Sequence, residues 1–342
     1  MAFPRLNFAC ELDTPALQAL FADKAVINDL QALHASLSLG ILDFSPERAQ
    51  IVRKLNRAGV PVVAWLLLPM DQGYWFHQDN APQAVACYRT FKAWTAEYNL
   101  VWDGVGLDIE PDIREMRRWM SDKWRTITFM LRRSFNWRVF RSARRIYRYL
   151  IDEIHADGYR VDIYQFPFIV DERKAESTLL QRATGIIDLP ADREVLMLYS
   201  SFARPHGAGF VWSYAPEAKA IGIGLTSTGV ETGIPIDTHP LSWDELERDL
   251  RLAWAWTDDL FVYSLEGCVQ QGFLPRLKTF VWDQPILAPT EPALWVENWR
   301  GLLQTVLWVS NHLWLVALGI LGLVLLFIPL RRRKQLTDMV NG

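Results

Sequence analysis

Short apolar, β-rich runs alternate with helical stretches eight times along the chain, and this alternation limits the possible folds more than any other feature. The runs are Arg5–Leu12, Ser36–Phe44, Val60–Leu68, Gly104–Ile109, Arg160–Phe166, Glu194–Ser200, Ala220–Thr226 and Asp259–Leu265. Most are built of Val, Ile, Leu, Phe and Tyr, as strands covered on both faces require. Between them, Pro46–Ala58 ends at Gly59, a helix C-cap signal, and Ser242–Trp256 opens with a capping box formed by Ser242 and Glu245. Eight β/α units over about 275 residues are what a (β/α)8 TIM barrel needs. A doubly wound open sheet is the alternative, but no GxGxxG follows the first run.

Two segments stand outside the repeat. Leu313–Leu330 is an apolar run without a charge, ending in Arg331–Lys334 and preceded by Trp295, Trp299, Trp308 and Trp314. Roughly 18 to 20 such residues cross a bilayer core, so the run is read as a transmembrane helix with an aromatic belt. The positive-inside rule then places the barrel outside a cell membrane crossed once. The N-terminus lacks the pattern of a signal peptide, which favours the opposite arrangement, a cytoplasmic tail-anchored domain. The second segment, 111–158, is too long for a single connecting helix. Twelve basic residues, among them Arg114, Arg125, Arg133 and Arg148, are interleaved there with Trp119, Trp124, Phe129, Phe135 and Trp137. Such a segment suits either an anionic lipid surface or a helix pair with a solvated basic face. The expected organisation is a barrel over 1–290 holding a helical insertion and the fourth helix at 111–158. A juxtamembrane segment at 291–312, the transmembrane helix at 313–330 and a basic tail at 331–342 follow.

A net charge of −3 argues against nucleic acid as a partner. Cys10, Cys87 and Cys268 are odd in number and not in CxxC pairs, so they outline neither a disulfide framework nor a zinc site. No HExxH, Walker A, GxSxG or EF-hand pattern occurs, and neither a cofactor nor a metal is expected.

Barrel chemistry sits at the C-terminal ends of the strands. Those ends offer Glu11 and Asp13, then Asp43, then Asp71, Tyr74 and Trp75, then Asp108 and Glu110. Tyr164 and Gln165, Tyr199 and Ser200, Thr226 and Ser227, and Tyr263 and Glu266 complete the rim. Asp43, followed by Ser45-Pro46, also fits a helix cap. The sharpest element is Asp103-Gly104-Val105-Gly106-Leu107-Asp108-Ile109-Glu110. Side chains alternate along a strand, so Gly106, Asp108 and Glu110 face the interior and its mouth. The Cα atoms of Asp108 and Glu110 should lie roughly 6.5 Å apart. Two carboxyls so close and partly desolvated cannot both ionise freely, and one becomes suited to general acid work at neutral pH. Glu110, nearer the mouth, takes that part.

DGVGLDIE resembles the fourth-strand D-G-x-D-x-D-x-E signature of the family 18 glycoside hydrolases, the chitinases and endo-β-N-acetylglucosaminidases. The resemblance implies Glu110 as general acid and Asp108 as the group orienting a substrate N-acetyl whose carbonyl oxygen attacks the anomeric carbon. Met197-Leu198-Tyr199-Ser200 is similar to the family's M-x-Y-D, which gives Tyr199 a part in holding that N-acetyl group. Ser200 and Gly106 stand where the family has Asp, and Tyr263 stands near its usual eighth-strand Trp. In the large clan of retaining (β/α)8 glycosidases, an Asn precedes the acid and a second Glu follows the seventh strand. Here Ile109 precedes Glu110 and no Glu ends the seventh run.

The expected function is therefore a membrane-anchored glycosidase cleaving a β-linked, N-acetylated or plain glycan. Glu110, Asp108 and Tyr199 would carry the catalysis, and Glu11, Asp13, Trp65, Tyr164, Gln165, Tyr263 and Glu266 would bind substrate. Its partners would be the glycan and membrane lipid, met through 313–330 and the basic 114–148 segment. The competing readings are a non-catalytic glycan-binding barrel and a metal-dependent hydrolase or phosphodiesterase built on the rim carboxylates.

Overall fold

The computed structural model describes residues 4–121, 123–227 and 239–312. Its first quarter runs β1 (Arg5–Cys10), α1 (Thr14–Ala22), α2 (Lys24–Ala32), β2 (Ser36–Ile41), α3 (Pro46–Arg57), β3 (Val62–Leu66) and α4 (Ala81–Tyr98). Then come β4 (Gly104–Asp108), α5 (Ile113–Ser121), α6 (Lys123–Ser134), α7 (Trp137–Ala156), β5 (Val161–Gln165), α8 (Phe168–Lys174) and α9 (Leu179–Thr184). The chain continues through β6 (Arg193–Met197), α10 (Gly207–Tyr214), β7 (Ala220–Gly224), α11 (Trp243–Trp254) and β8 (Asp259–Tyr263). It ends in α12 (Leu265–Gln270), α13 (Phe273–Lys278) and α14 (Thr290–Asn311). The strands are parallel and close in sequence order, β8 pairing with β1 through Leu6–Leu260 and Phe8–Val262. The open-sheet alternative is thereby excluded.

Strand alternation divides the core in two. Phe8, Leu37, Leu39, Val105, Leu107, Ile163 and Leu196 point outward into the ring of helices. Ala9, Trp65, Tyr164, Val195, Met197, Ala220 and Phe261 fill the barrel. At the N-terminal end of the interior, Arg193 reaches Asp162 at 3.1 Å and Asp259 at 3.4 Å, so charge is neutralised where the helices give no cover.

The insertion resolves into separate parts. α7 turns Phe140, Ala143, Tyr147, Leu150 and Ile154 inward and acts as the fourth barrel helix. α5 and α6 precede it, α6 packing against α9 and α5. Ile113 of α5 is fully buried against the inner cluster. Arg133 of α6, itself buried, forms ion pairs with Asp79 in the loop after β3 and with Glu115 of α5. Trp124, Phe135 and Trp137 remain exposed.

The C-terminal transmembrane helix and the single-pass membrane placement are corrected. Among the described residues no helix is long and apolar enough to cross a membrane. The run 313–330 lies outside the described residues. The helix that leads towards it, α14, carries Glu291, Glu297 and Arg300 and packs along α10 as part of the globular body. Its buried Arg300 contacts the fully buried Asp171 of α8 at 2.8 Å, and its guanidinium lies 3.9 Å from the Tyr214 ring centroid. The Tyr214 hydroxyl and Gln304 also donate to Asp171, at 2.6 and 2.7 Å. A buried pair of this kind is worth little against apolar residues of the same shape, but breaking it strands a charge. Arg300→Ala should therefore cost about 3–5 kcal/mol, read from urea unfolding, whereas Arg300→Met combined with Asp171→Leu should cost far less.

Candidate active site

The loop after β3 shapes the mouth. It leaves the sheet after Leu66 and returns when the Phe76 amide donates to the Asp108 carbonyl at 3.0 Å and the Glu110 amide donates to the Phe76 carbonyl at 2.9 Å. This pairing extends β4 beyond its regular end and holds Glu110 one pleat above Asp108. Within the loop Tyr74 has φ of +65°, the left-handed region that a non-glycine residue enters at a cost of about 1–2 kcal/mol. The conformation sends its hydroxyl across the mouth to Glu11 Oε1, at 2.6 Å. Tyr263 donates to the other Glu11 oxygen. The sequence places Tyr74 on the rim without assigning it a role, and neither its positive φ nor its reach to Glu11 has a sequence signature.

Glu11, Asp108 and Glu110 are all buried at the mouth, and no Lys or Arg forms an ion pair with any of them among the described residues. Burial pushes Glu11 up to about 8, against the pull of its two tyrosine hydrogen bonds. Burial likewise raises Asp108. Glu110 is raised well above the ordinary carboxyl range by burial, by the Asp108 charge and hydrogen bond, and by Glu11. The Trp65 indole stands close enough to hold Asp108 down slightly. Even so, Trp65 Nε1 and Asp108 Oδ1 lack partners at proper hydrogen-bond geometry. Buried polar atoms left open in this way are places for a ligand group or a water. Tyr199 and Tyr263, ring centroids 5.8 Å apart, complete the wall.

The departures from the fourth- and sixth-strand motifs have local causes. A Cβ on Gly106 would lie 2.9 Å from the Tyr164 ring, so the missing Asp leaves room for that tyrosine. Tyr164 instead donates to Ser38 at 2.9 Å and sits beneath the carboxyls. Ser200 turns away from the mouth and bonds Asp249 of α11.

The structure therefore brings together Glu110, Asp108, Tyr199, Glu11, Trp65, Tyr164 and Tyr263. Three other sequence candidates lie elsewhere. Asp13 is exposed and caps α1, accepting from the Ala16 amide at 2.8 Å. Gln165 shares the outward parity of Ile163, and both its amide atoms are buried without a partner. Glu266, at the start of α12, is buried beside Cys10 behind β1, and its Oε2 has no hydrogen-bond partner. Asp43, despite burial, is held at about 2 by Ser45, Thr14 and Arg48 and braces the start of α3. Among the described residues no group of three or more His, Cys, Asp or Glu is arranged to hold a metal ion.

No family model and no curated protein matches the chain. Solved structures do. The PgaB (BpsB) glycoside hydrolase domain from Bordetella bronchiseptica superposes with a TM-score of 0.51 at 10% identity, covering 83% of this chain and 100% of that one. A GH18 chitinase from Pseudoalteromonas aurantia gives a TM-score of 0.48 at 8% identity, covering 81% and 100%. The chain thus shares its (β/α)8 TIM-barrel fold with the PgaB glycoside hydrolase domain, as the DGVGLDIE resemblance implied for its fold. At such identity the likeness is one of fold.

The raised Glu11 has a consequence for stability. Between about pH 4.5 and about pH 8 the folded state keeps a proton that the unfolded chain has lost, so stability falls as pH rises through that window. Glu11→Gln should remove part of the decline, by up to a few kcal/mol at its upper end and nothing at its lower end. Urea midpoints across the window read the difference.

Proposed function

We propose that this barrel is a glycoside hydrolase acting on a β-linked glycan, with Glu110 as the proton donor. The observation that carries the reading is the buried pair Asp108 and Glu110 at the mouth, in which burial and the neighbouring Asp108 charge make Glu110 the group that holds its proton more strongly. An acid that keeps its proton at neutral pH can hand it to a glycosidic oxygen as the C1–O bond breaks. Water then adds to C1 and returns a proton to the site. Asp108, one pleat below, bears charge as the sugar becomes oxocarbenium-like. On an N-acetylated sugar the family resemblance gives it the further part of orienting the acetamido group. Tyr199 and the open Trp65 Nε1 are donors for the sugar bound there, and Glu11, steadied by Tyr74 and Tyr263, accepts from its hydroxyls. The fold of the PgaB glycoside hydrolase domain is consistent with this chemistry.

On chitooligosaccharides or peptidoglycan-type glycans, Glu110→Gln should lower kcat about 10²–10⁴-fold. Full activity in that variant would overturn the assignment. Activity should fall on the alkaline side as Glu110 loses its proton. Asp108→Asn removes the neighbouring negative charge, so it should move that limb to lower pH in a kcat/KM profile.

A further inference from the structure

Large apolar side chains scattered singly over a surface are ordinary, but a row of them along one helix is not. α6 carries Trp124, Ile127 and Leu131, and Phe135 follows in the turn that ends it. Their spacing by three and four residues stacks them along one side. They are 79, 47, 55 and 76% exposed. The other side of the helix fixes this orientation. Buried Arg133, half a turn round from Trp124, is held by Asp79 and Glu115, and α6 packs there against α9 and α5.

The next helix supplies the charge. α7 buries Phe140, Ala143, Tyr147 and Leu150. Arg138, Arg141, Arg145 and Arg148 recur at the same helical spacing on its exposed side, and Arg132 stands beside Leu131. Among the described residues none of Arg132, Arg138, Arg145 and Arg148 enters an ion pair. Asp152, a turn beyond Arg148, is the first acidic residue of α7. Only Phe135 and Asn136 separate the two helices, so the apolar row and the arginine row adjoin.

Charge decides what can cover such a face. A second copy of this chain, docked about a two-fold axis, would set arginine against arginine. Nucleic acid would satisfy the arginines but leave Ile127 and Leu131 in water. An anionic bilayer surface answers both rows: the acyl boundary takes the aromatic and aliphatic side chains, and the headgroup phosphates take the guanidiniums. We infer that the outer face of α6, with the arginines of α7, docks this barrel on an anionic lipid surface. The contact is peripheral, with α6 lying in the interface and crossing nothing. It does not depend on the glycan reading of the mouth.

The test is cosedimentation of the full chain with vesicles of phosphatidylcholine alone, or with about 30 mol% phosphatidylglycerol added. Wild type should bind the anionic vesicles and lose most of that binding when salt is raised about tenfold. Trp124→Ser/Phe135→Ser should weaken binding about ten- to a hundredfold, and Arg138→Gln/Arg145→Gln about thirtyfold. Val101→Ser, at a similarly exposed apolar residue that precedes β4, should change nothing. All these variants should keep the wild-type urea midpoint. Equal binding to both kinds of vesicle overturns the inference. So does full binding by either double variant, since another part of the chain, or one row alone, then holds the lipid. Absence of vesicle binding overturns it as well, and light scattering of wild type and variants then shows whether a second copy covers the face.

Discussion

A closed parallel barrel must fill its own interior, and the remaining structure follows from how this one does so. Each strand contributes five or six residues. Inward positions at the bottom hold ion pairs around Arg193, those in the middle hold Trp65, Tyr164 and Phe261, and those at the top hold carboxyls. The aromatic layer is a floor that keeps bulk water from reaching the carboxyls from below. Desolvation from that floor and from the mouth's tyrosines is the first cause of the raised Glu11, Asp108 and Glu110. The packing that closes the barrel therefore also makes its mouth acidic in the sense of holding protons.

The legible parts of the sequence were those governed by short-range pattern. Continuous apolar runs marked buried parallel strands, and strict alternation in DGVGLDIE puts Asp108 and Glu110 on one face. The capping box at Ser242 and Glu245 is present in the structure. What failed was the assumption that a polar residue near a strand end faces the mouth. Asp13 lies two positions past Glu11 but already belongs to the next helix as its cap. Gln165 has the wrong parity, and Glu266 lies in α12, whose start turns it behind β1. Tyr74 depends on a left-handed residue in an irregular loop, and no local pattern announces that.

The docking of α14 was not legible for a related reason. Hydropathy and aromatic content in a window describe what a segment would do alone. The docking of α14 is decided by partners far away in the chain: Asp171 for Arg300, Gly209 for Pro292, His206 for Trp295. None of these pairs is visible from within residues 290–312. The same holds for the basic insertion, where Arg133 of α6 finds Asp79 in the loop after β3 as well as Glu115 of α5.

That arginine ties separate pieces into one mechanical unit. Arg133 bridges Asp79 and Glu115, so the insertion and the loop after β3 are braced against each other. The braced loop carries Tyr74, and Tyr74 holds Glu11 on the far wall. The outer helices and the proton-holding carboxyl of Glu11 are thus the two ends of one unbroken path of arginine, loop and phenol.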